Sequence, residues 1–454
     1  MKKTILHLPI AIFFIWSTHS CTSFLDVKSD EKLTVPTMLE DFEALLNGPD
    51  FILEPAEGEV MTTDYYLSEE AFEGMYCPVN ADLYRWIDNP LIQNCDGNNG
   101  WELSYQNIYR SNVVLEGLQK YEQDKGENER SRNVKGHAYF VRGINHFGVI
   151  KLWAKAYDRV TSNAELGIPL KLTTDFNEIS TRAVLKEAME QIEDDLLKAT
   201  DLLPERQISV RLPNKVSAWA YLSRFYLYLS DFEKARHFAE LCINSGLELI
   251  DFNTLSFTGA FPFNMDTNTE ILYARVLTTA YESLGINLRR VDMDLYNSYA
   301  DDDLRKDIYF SINTDGSIRF RGSYSGGGGG LFSGPALDEM YLNAAECYAR
   351  ENNFGKAKEY LYHLLRNRMA EGYIFEDLQD SSVLEEVLKE RRKELLLRGI
   401  RFGDVKRLNS MGGSITLVRT VGLEEYTLPP NSPNAILLIP QNVIEISGIE
   451  QNPR

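Results

Sequence analysis

Two stretches of the chain place residues of matching character at the same intervals. In the first, Trp219, Leu222, Tyr226, Phe232, Ala235 and Ala239 are spaced 3, 4, 6, 3 and 4. In the second, Tyr341, Ala344, Tyr348, Phe354, Ala357 and Leu361 repeat those intervals. Steps of three and four keep side chains on one face of a helix of about 3.6 residues per turn. The step of six carries the pattern across a break, at Ser230-Asp231 in one stretch and Asn352-Asn353 in the other. Each stretch therefore predicts two antiparallel helices. A lone pair of this kind leaves its apolar face open and must stack on others.

These are the intervals of the tetratricopeptide unit of about 34 residues, including its small residue where the helices cross. Three more helices are legible. Gly97 to Leu118 opens the first, with Trp101, Tyr105, Ile108 and Asn112 on one face; Arg132 to Trp153 is the second. Thr181 to Leu203 is the third, with Ser180 or Thr181 as N-cap and Pro204 closing it. Helix-pair units thus fall near 101–203, 215–246 and 338–369. The last two are separated by about ninety residues, so the chain is not a plain solenoid. Two blocks, 47–99 and 248–334, have few helical signals and many aromatics, Asn, Asp and Gly. The run Gly326 to Gly330 suits no regular element and reads as a mobile loop. The expected fold is mostly α: a tetratricopeptide-like scaffold displaying long, irregular, loop-rich insertions as a ligand face.

The first residues give an address. Lys2 and Lys3 precede a predominantly apolar run from Ile5 to Trp16, then small polar residues, then Cys21. This is a secretory signal spanning 1–20, shorter than the about 20 apolar residues of a membrane span. A cysteine directly after the cut is the site lipidated in lipoproteins. The tripeptide Thr18-His19-Ser20 departs from the usual Leu followed by small residues. Residues 21–454 then form one domain, tethered through Cys21, with Thr22 to Lys32 as a short polar linker.

Charge narrows the partners. The chain carries a net −20, and without the two lysines of the signal the remainder stands at −22. Nucleic acid needs clustered Lys and Arg against its phosphates, and anionic lipid attracts basic surfaces. Both are disfavoured. Cys242 and Cys347 sit within helical patterns and read as buried small residues. Cys77 and Cys95 share a loop-rich stretch in an oxidising compartment, where a disulfide can form.

The ordered blocks resemble the SusD/RagB family of outer-membrane nutrient-binding lipoproteins. Phe24-Leu25-Asp26-Val27 is similar to the family's start, and Ala138 to Phe147 resembles its Ala-x-Phe-Leu-Arg segment with Arg142 kept. Gly167-Ile168-Pro169-Leu170 and Asp195-Leu196 with Ala199 to Pro204 also match. So do Glu339 to Leu342 and the run Arg391-Arg392-Lys393-Glu394-Leu395 through Gly399 to Arg407. Ile439-Pro440 to Gln451-Asn452-Pro453 resembles its ending. The resemblance implies a non-catalytic, cell-surface protein that captures a glycan and sits as a lid on a SusC-like TonB-dependent transporter. A branch of the family handles peptides, and a surface glycoside hydrolase is the alternative from another class.

Sugars offer flat apolar faces ringed by hydroxyls, so their sites combine aromatic platforms with flanking polar groups. Candidates in the first loop block are Asp64, Tyr65, Tyr66, Tyr76, Tyr84 and Trp86, with Asn80 and Asn94 as polar helpers. In the second they are Phe261, Phe263, Tyr281, Tyr296, Tyr299 and Tyr324. Trp101 and Trp219, on helix faces, read as core, and Arg401 with Asp404 as a structural ion pair or cap. Asp301-Asp302-Asp303 lacks the Gly and Glu spacing of a calcium loop, so no cofactor is expected. His137, His146, His237 and His363 form no close metal pair, and Gly322-Ser323-Tyr324-Ser325-Gly326 puts tyrosine where a nucleophile elbow needs serine.

Overall fold

The computed structural model describes residues 36–89, 99–256, 259–328, 330–375 and 377–454; Cys21, Asn94 and Cys95 lie outside them. Asn99 opens the first long helix, α1 (Gly100–Lys125), accepting from the Glu102 amide at 2.9 Å. It runs past the expected Leu118 because nothing breaks it before Gly126, which takes φ +79°. Asn128 and Ser131 cap each other reciprocally to start α2 (Glu129–Trp153). The third helix, α3 (Leu185–Leu202), begins later than the expected Thr181. Residues Arg182–Val184 instead form a strand against Leu166–Pro169, and Arg182 donates to the Gly167 carbonyl. That ladder, not a serine or threonine cap, sets where the helix starts.

The two repeat units are as their spacing predicts. They are α4 (Lys215–Tyr228) with α5 (Phe232–Ile243), and α6 (Leu337–Arg350) with α7 (Phe354–Arg366). Ser230 and Asn352 turn the chain at φ +59° and +60°, and Asp231 and Asn353 then cap the following helices. Ala235, Ala239, Ala344 and Ala357 are fully buried where the helices approach closely. Although far apart in sequence, the units touch: α5 packs on α6, and Ala220, Ala239, Cys242, Met340 and Ala344 form the seam. Asn343 crosses it to donate to Ser223. The helical stack is continuous, with the long insertion looped out between its neighbours. Cys242 and Cys347 are buried free thiols.

After α7 come α8 (Val383–Glu394) and α9 (Arg401–Ser410). Several of their charged side chains are buried, among them Glu390, Arg391, Lys393, Glu394, Asp404 and Arg407. Arg407 binds Glu346 through both ends of its guanidinium at 2.7 Å and also reaches Asp404. Asp404 in turn holds Arg391, so it pairs with Arg391 and Arg407; Arg401 forms no ion pair among the described residues. Glu394 takes Arg305 from the insertion at 2.9 Å and Arg368 at 2.7 Å. Arg305 also reaches Asp303 and Glu390, and Arg368 reaches Glu270. Asp303 is thereby occupied by Arg305 and Lys393, and Asp301 by Lys306, so the aspartate run does not converge on a cation. The tail closes the fold: buried Asn452 donates to the carbonyls of Trp153 and Leu437, and Trp153 donates to Leu438. No helix among the described residues is long and apolar enough to cross a membrane.

Burial alone would raise the pKa of Asp303, but Arg305 and Lys393 outweigh it and hold the carboxyl at about 2. A depressed carboxyl stabilises the fold above its unfolded value and loses that contribution as it is protonated. Urea midpoints are accordingly expected to fall as pH drops from about 4 to about 2; an unchanged midpoint over that window contradicts the ion-pair account. Glu394→Gln, which weakens the counter-charge of two buried arginines, is expected to cost about 3–5 kcal/mol in urea unfolding.

Candidate functional site

The two loop-rich blocks, more than two hundred residues apart, pair with each other. Leu53–Glu54 runs parallel to Val276–Leu277, and Tyr65–Tyr66 runs antiparallel to Arg290–Val291. Buried carboxylates tie this layer to the scaffold: Glu57 accepts from the Gly100 amide at the start of α1, and Glu59 from the Gly399 amide. On the layer, Ser68 caps a short helix, Glu69–Glu73, and Pro78 starts another, Pro78–Tyr84. Between them Glu282 receives the backbone amides of Tyr76 and Cys77 at 3.3 and 3.0 Å. Cys77 is disulfide-bonded; Cys95, its expected partner, lies outside the described residues. The backbone at Tyr76 is thus held from two sides.

Most of the expected platform faces inward. Tyr65, Tyr84 and Trp86 surround the guanidinium of Arg419, whose carbon lies 5.5, 3.5 and 5.1 Å from their ring centres. Arg419 donates to the carbonyls of Val60, Thr62 and Tyr84. Trp86, at 4% exposure and φ +58°, donates its indole N–H to Met61. These three rings form a box already filled by the chain's own cation. Tyr324 is treated alike: Arg398 lies 4.0 Å over its ring, and its hydroxyl donates to Glu270 and Asp338. Tyr299 donates to the Lys393 carbonyl and faces Arg305 and Lys393. Tyr281 and Phe263 are buried, Asp64 is buried against Arg392 at 2.7 Å, and Asn80 is buried with its amide unbonded.

Tyr76 stays outside, at 56% exposure. Tyr66 is half-buried in register with Arg290, and Tyr296 is half-buried between Phe310 and Lys306. Phe261 is also half-buried, beside Gly328. Gly326 adopts φ +75° where a Cβ would come within 2.6 Å of the Phe263 carbonyl, so close packing dictates at least that glycine. Sequence reasoning missed a second aromatic strip. Arg85 lies between Phe72 and Tyr426, 5.2 and 5.6 Å from their ring centres, all three half-buried. Tyr426 arrives on the hairpin Leu417–Val421 with Glu424–Leu428, more than three hundred residues later, and no local pattern announces it. Flat rings, a guanidinium and flanking carboxylates are the chemistry that stacks on sugar faces and replaces hydroxyl hydrogen bonds.

Among the described residues the histidines offer no acid–base pair at this face. Burial pushes His137 and His146 down to about 3, and His363 stacks on Tyr341. Among the described residues no group of His, Cys, Asp and Glu is arranged to hold a metal. Burial, helped by Asp64, lifts Glu59 to about 7, a value suited to an acid catalyst, but its carboxylate is 1% exposed and engaged by Gly399 and Thr62.

Two family models match the chain: one described as starch-binding and associating with the outer membrane, over residues 23–227, and the SusD family, over 337–434. A SusD-like protein P2 from Formosa agariphila is 29% identical over 147 residues, 32% of this chain and 26% of that relative. The chain thus spans about a quarter of that relative's length. A SusD superfamily protein from Bacteroides thetaiotaomicron has the same fold, with a TM-score of 0.75 at 20% identity over 92% of this chain and 100% of that one. A protein from Bacteroides vulgatus described as sugar-binding aligns with a TM-score of 0.73 at 23% identity, covering 92% and 99%. A SusD-like carbohydrate-binding protein from the same species gives 0.68 at 19%, covering 91% and 97%. Removing the cation from the aromatic box tests its structural role. Arg419→Ala is expected to lower stability by about 3 kcal/mol or more, since three carbonyls lose their donor; a change below about 0.5 kcal/mol in urea unfolding contradicts it.

Proposed function

The chain belongs to the SusD/RagB family, and we propose that it is a lipid-anchored receptor on the cell surface that captures a glycan and passes it, uncleaved, to a SusC-like TonB-dependent transporter. The observation that carries the ligand reading is Tyr76: an exposed ring on backbone fixed by Glu282 and a disulfide. A ring held this way loses little freedom when a sugar stacks on it, so more of the contact appears as affinity. Tyr66, Tyr296 and the Phe72–Arg85–Tyr426 strip extend the same layer. Anchoring through Cys21 is supported by the signal before it and by a family match that begins at residue 23.

The net charge of −20 favours cationic peptides over neutral sugars by long-range attraction, which keeps the peptide-binding branch as a second reading. Calorimetry of the mature chain without its lipid, against glycans and peptides, separates the two. A saturable signal with one glycan class is expected, about tenfold weaker in Tyr76→Ala with the fold unchanged. Trp86→Ala is expected to reduce stability. Binding only to basic peptides transfers the protein to the peptide branch, and release of reducing ends from a polysaccharide overturns the non-catalytic reading.

A further inference from the structure

A cavity of about 490 Å³ is lined by none of the residues discussed above as ligand contacts. It opens to solvent and is bounded by α9, the turn that follows α2, the end of the C-terminal hairpin with the segment after it, and the chain's last residues. Its volume falls within the about 300–1,000 Å³ of small-molecule sites. The walls are mainly apolar, with Phe402, Val405, Leu428, Pro429 and Ile436 contributing.

Of the cations in the wall, Lys406 alone has no carboxylate partner among the described residues. Lys155 pairs with Glu165 at 2.7 Å, and Arg454 with Asp88 at 2.5 Å. Asp158 accepts from the amides of Val160 and Thr161. Lys406, only 6% exposed, has no carboxylate within ion-pair distance among the described residues. Its ammonium donates to the carbonyls of Lys151 and Ala154, both at 2.7 Å, at the end of α2. That leaves one of its three N–H groups without a protein acceptor among the described residues. Burial, with no neighbouring charge contributing, pushes its pKa down to about 7. An uncompensated buried cation is costly, and an anion brought beside it gains from the low local dielectric around the buried ammonium.

We propose that this cavity binds a small monoanion with an apolar body, an alkyl or aryl carboxylate, whose charge sits at Lys406. The apolar walls take the hydrocarbon and the free N–H takes the carboxylate. Such a ligand belongs to a different chemical class from a glycan, and its site shares no residue with the Tyr76 face.

Octanoate and octanol are suitable probes for calorimetry with the mature chain. Saturable octanoate binding, at least tenfold tighter than octanol, is expected. The affinity is expected to fall as pH rises from 7 to 9, because the lysine loses the proton that attracts the anion. Lys406→Met is expected to bind octanoate no better than octanol. Because that change also strips two carbonyls of a donor, Ala435→Phe serves as a second variant: it fills the cavity from its lining, removes no polar group, and is expected to abolish octanoate binding. Equal binding of the two probes, undetectable octanoate binding to the wild type, or wild-type affinity in Ala435→Phe each overturns the proposal.

Discussion

Glu394 lies beneath two arginines that reach it from different parts of the chain. Arg305 comes from the long insertion, Arg368 from the loop after α7, and both are wholly buried. Through Glu390, Asp303, Glu270 and Lys393 the same network binds the insertion to the helical stack. An insertion with so little regular backbone has few ladders to fix it. Directed, charge-assisted hydrogen bonds do that work instead, because a guanidinium fork accepts carboxylates only in defined orientations. Such pairs add little net stability over apolar packing, yet breaking one is expensive. They therefore specify position more than they add stability.

The same economy of cations explains the aromatic residues. Arg419, Arg398 and Arg305 each lie against tyrosine or tryptophan rings inside the fold. A ring facing a buried guanidinium cannot also face a sugar. The rings that remain outside, Tyr76 above all, are carried by loops whose neighbours are locked in this way. Rigid support of that kind would keep the proposed binding surface in the geometry a ligand needs.

What could be read from the sequence follows from the reach of each interaction. The repeat units are legible because their packing is periodic and local: Ser223 donates to the Ala235 carbonyl within one pair, and Ala357 is buried in one cluster with Tyr341 and Ala345 of its own pair. The charged helix holding Arg391, Glu394 and Lys393 gave no sign that it would be buried, since its partners Asn343, Arg368 and Asp303 lie elsewhere. Trp86 looked like a platform because its loop is rich in aromatics and polar residues. Its actual partner, Arg419, is more than three hundred residues away. The start of α3 departs from the sequence expectation for a related reason: a two-stranded ladder with Leu166–Pro169 takes the residues that a cap would use. The Phe72–Arg85–Tyr426 strip shows the converse, a surface group assembled wholly by the fold.

The inward rings hold the fold, and the outward rings are the ones proposed to meet the ligand. Hydroxyl-radical footprinting of the mature chain, free and saturated with its ligand, tests this residue by residue. The account predicts labelling of Tyr76, Tyr66 and Tyr426 in the free protein, reduced on binding, with Tyr65, Tyr84 and Trp86 unlabelled in both states. Labelling of Trp86 or Tyr84 in the free protein that disappears with ligand would contradict it.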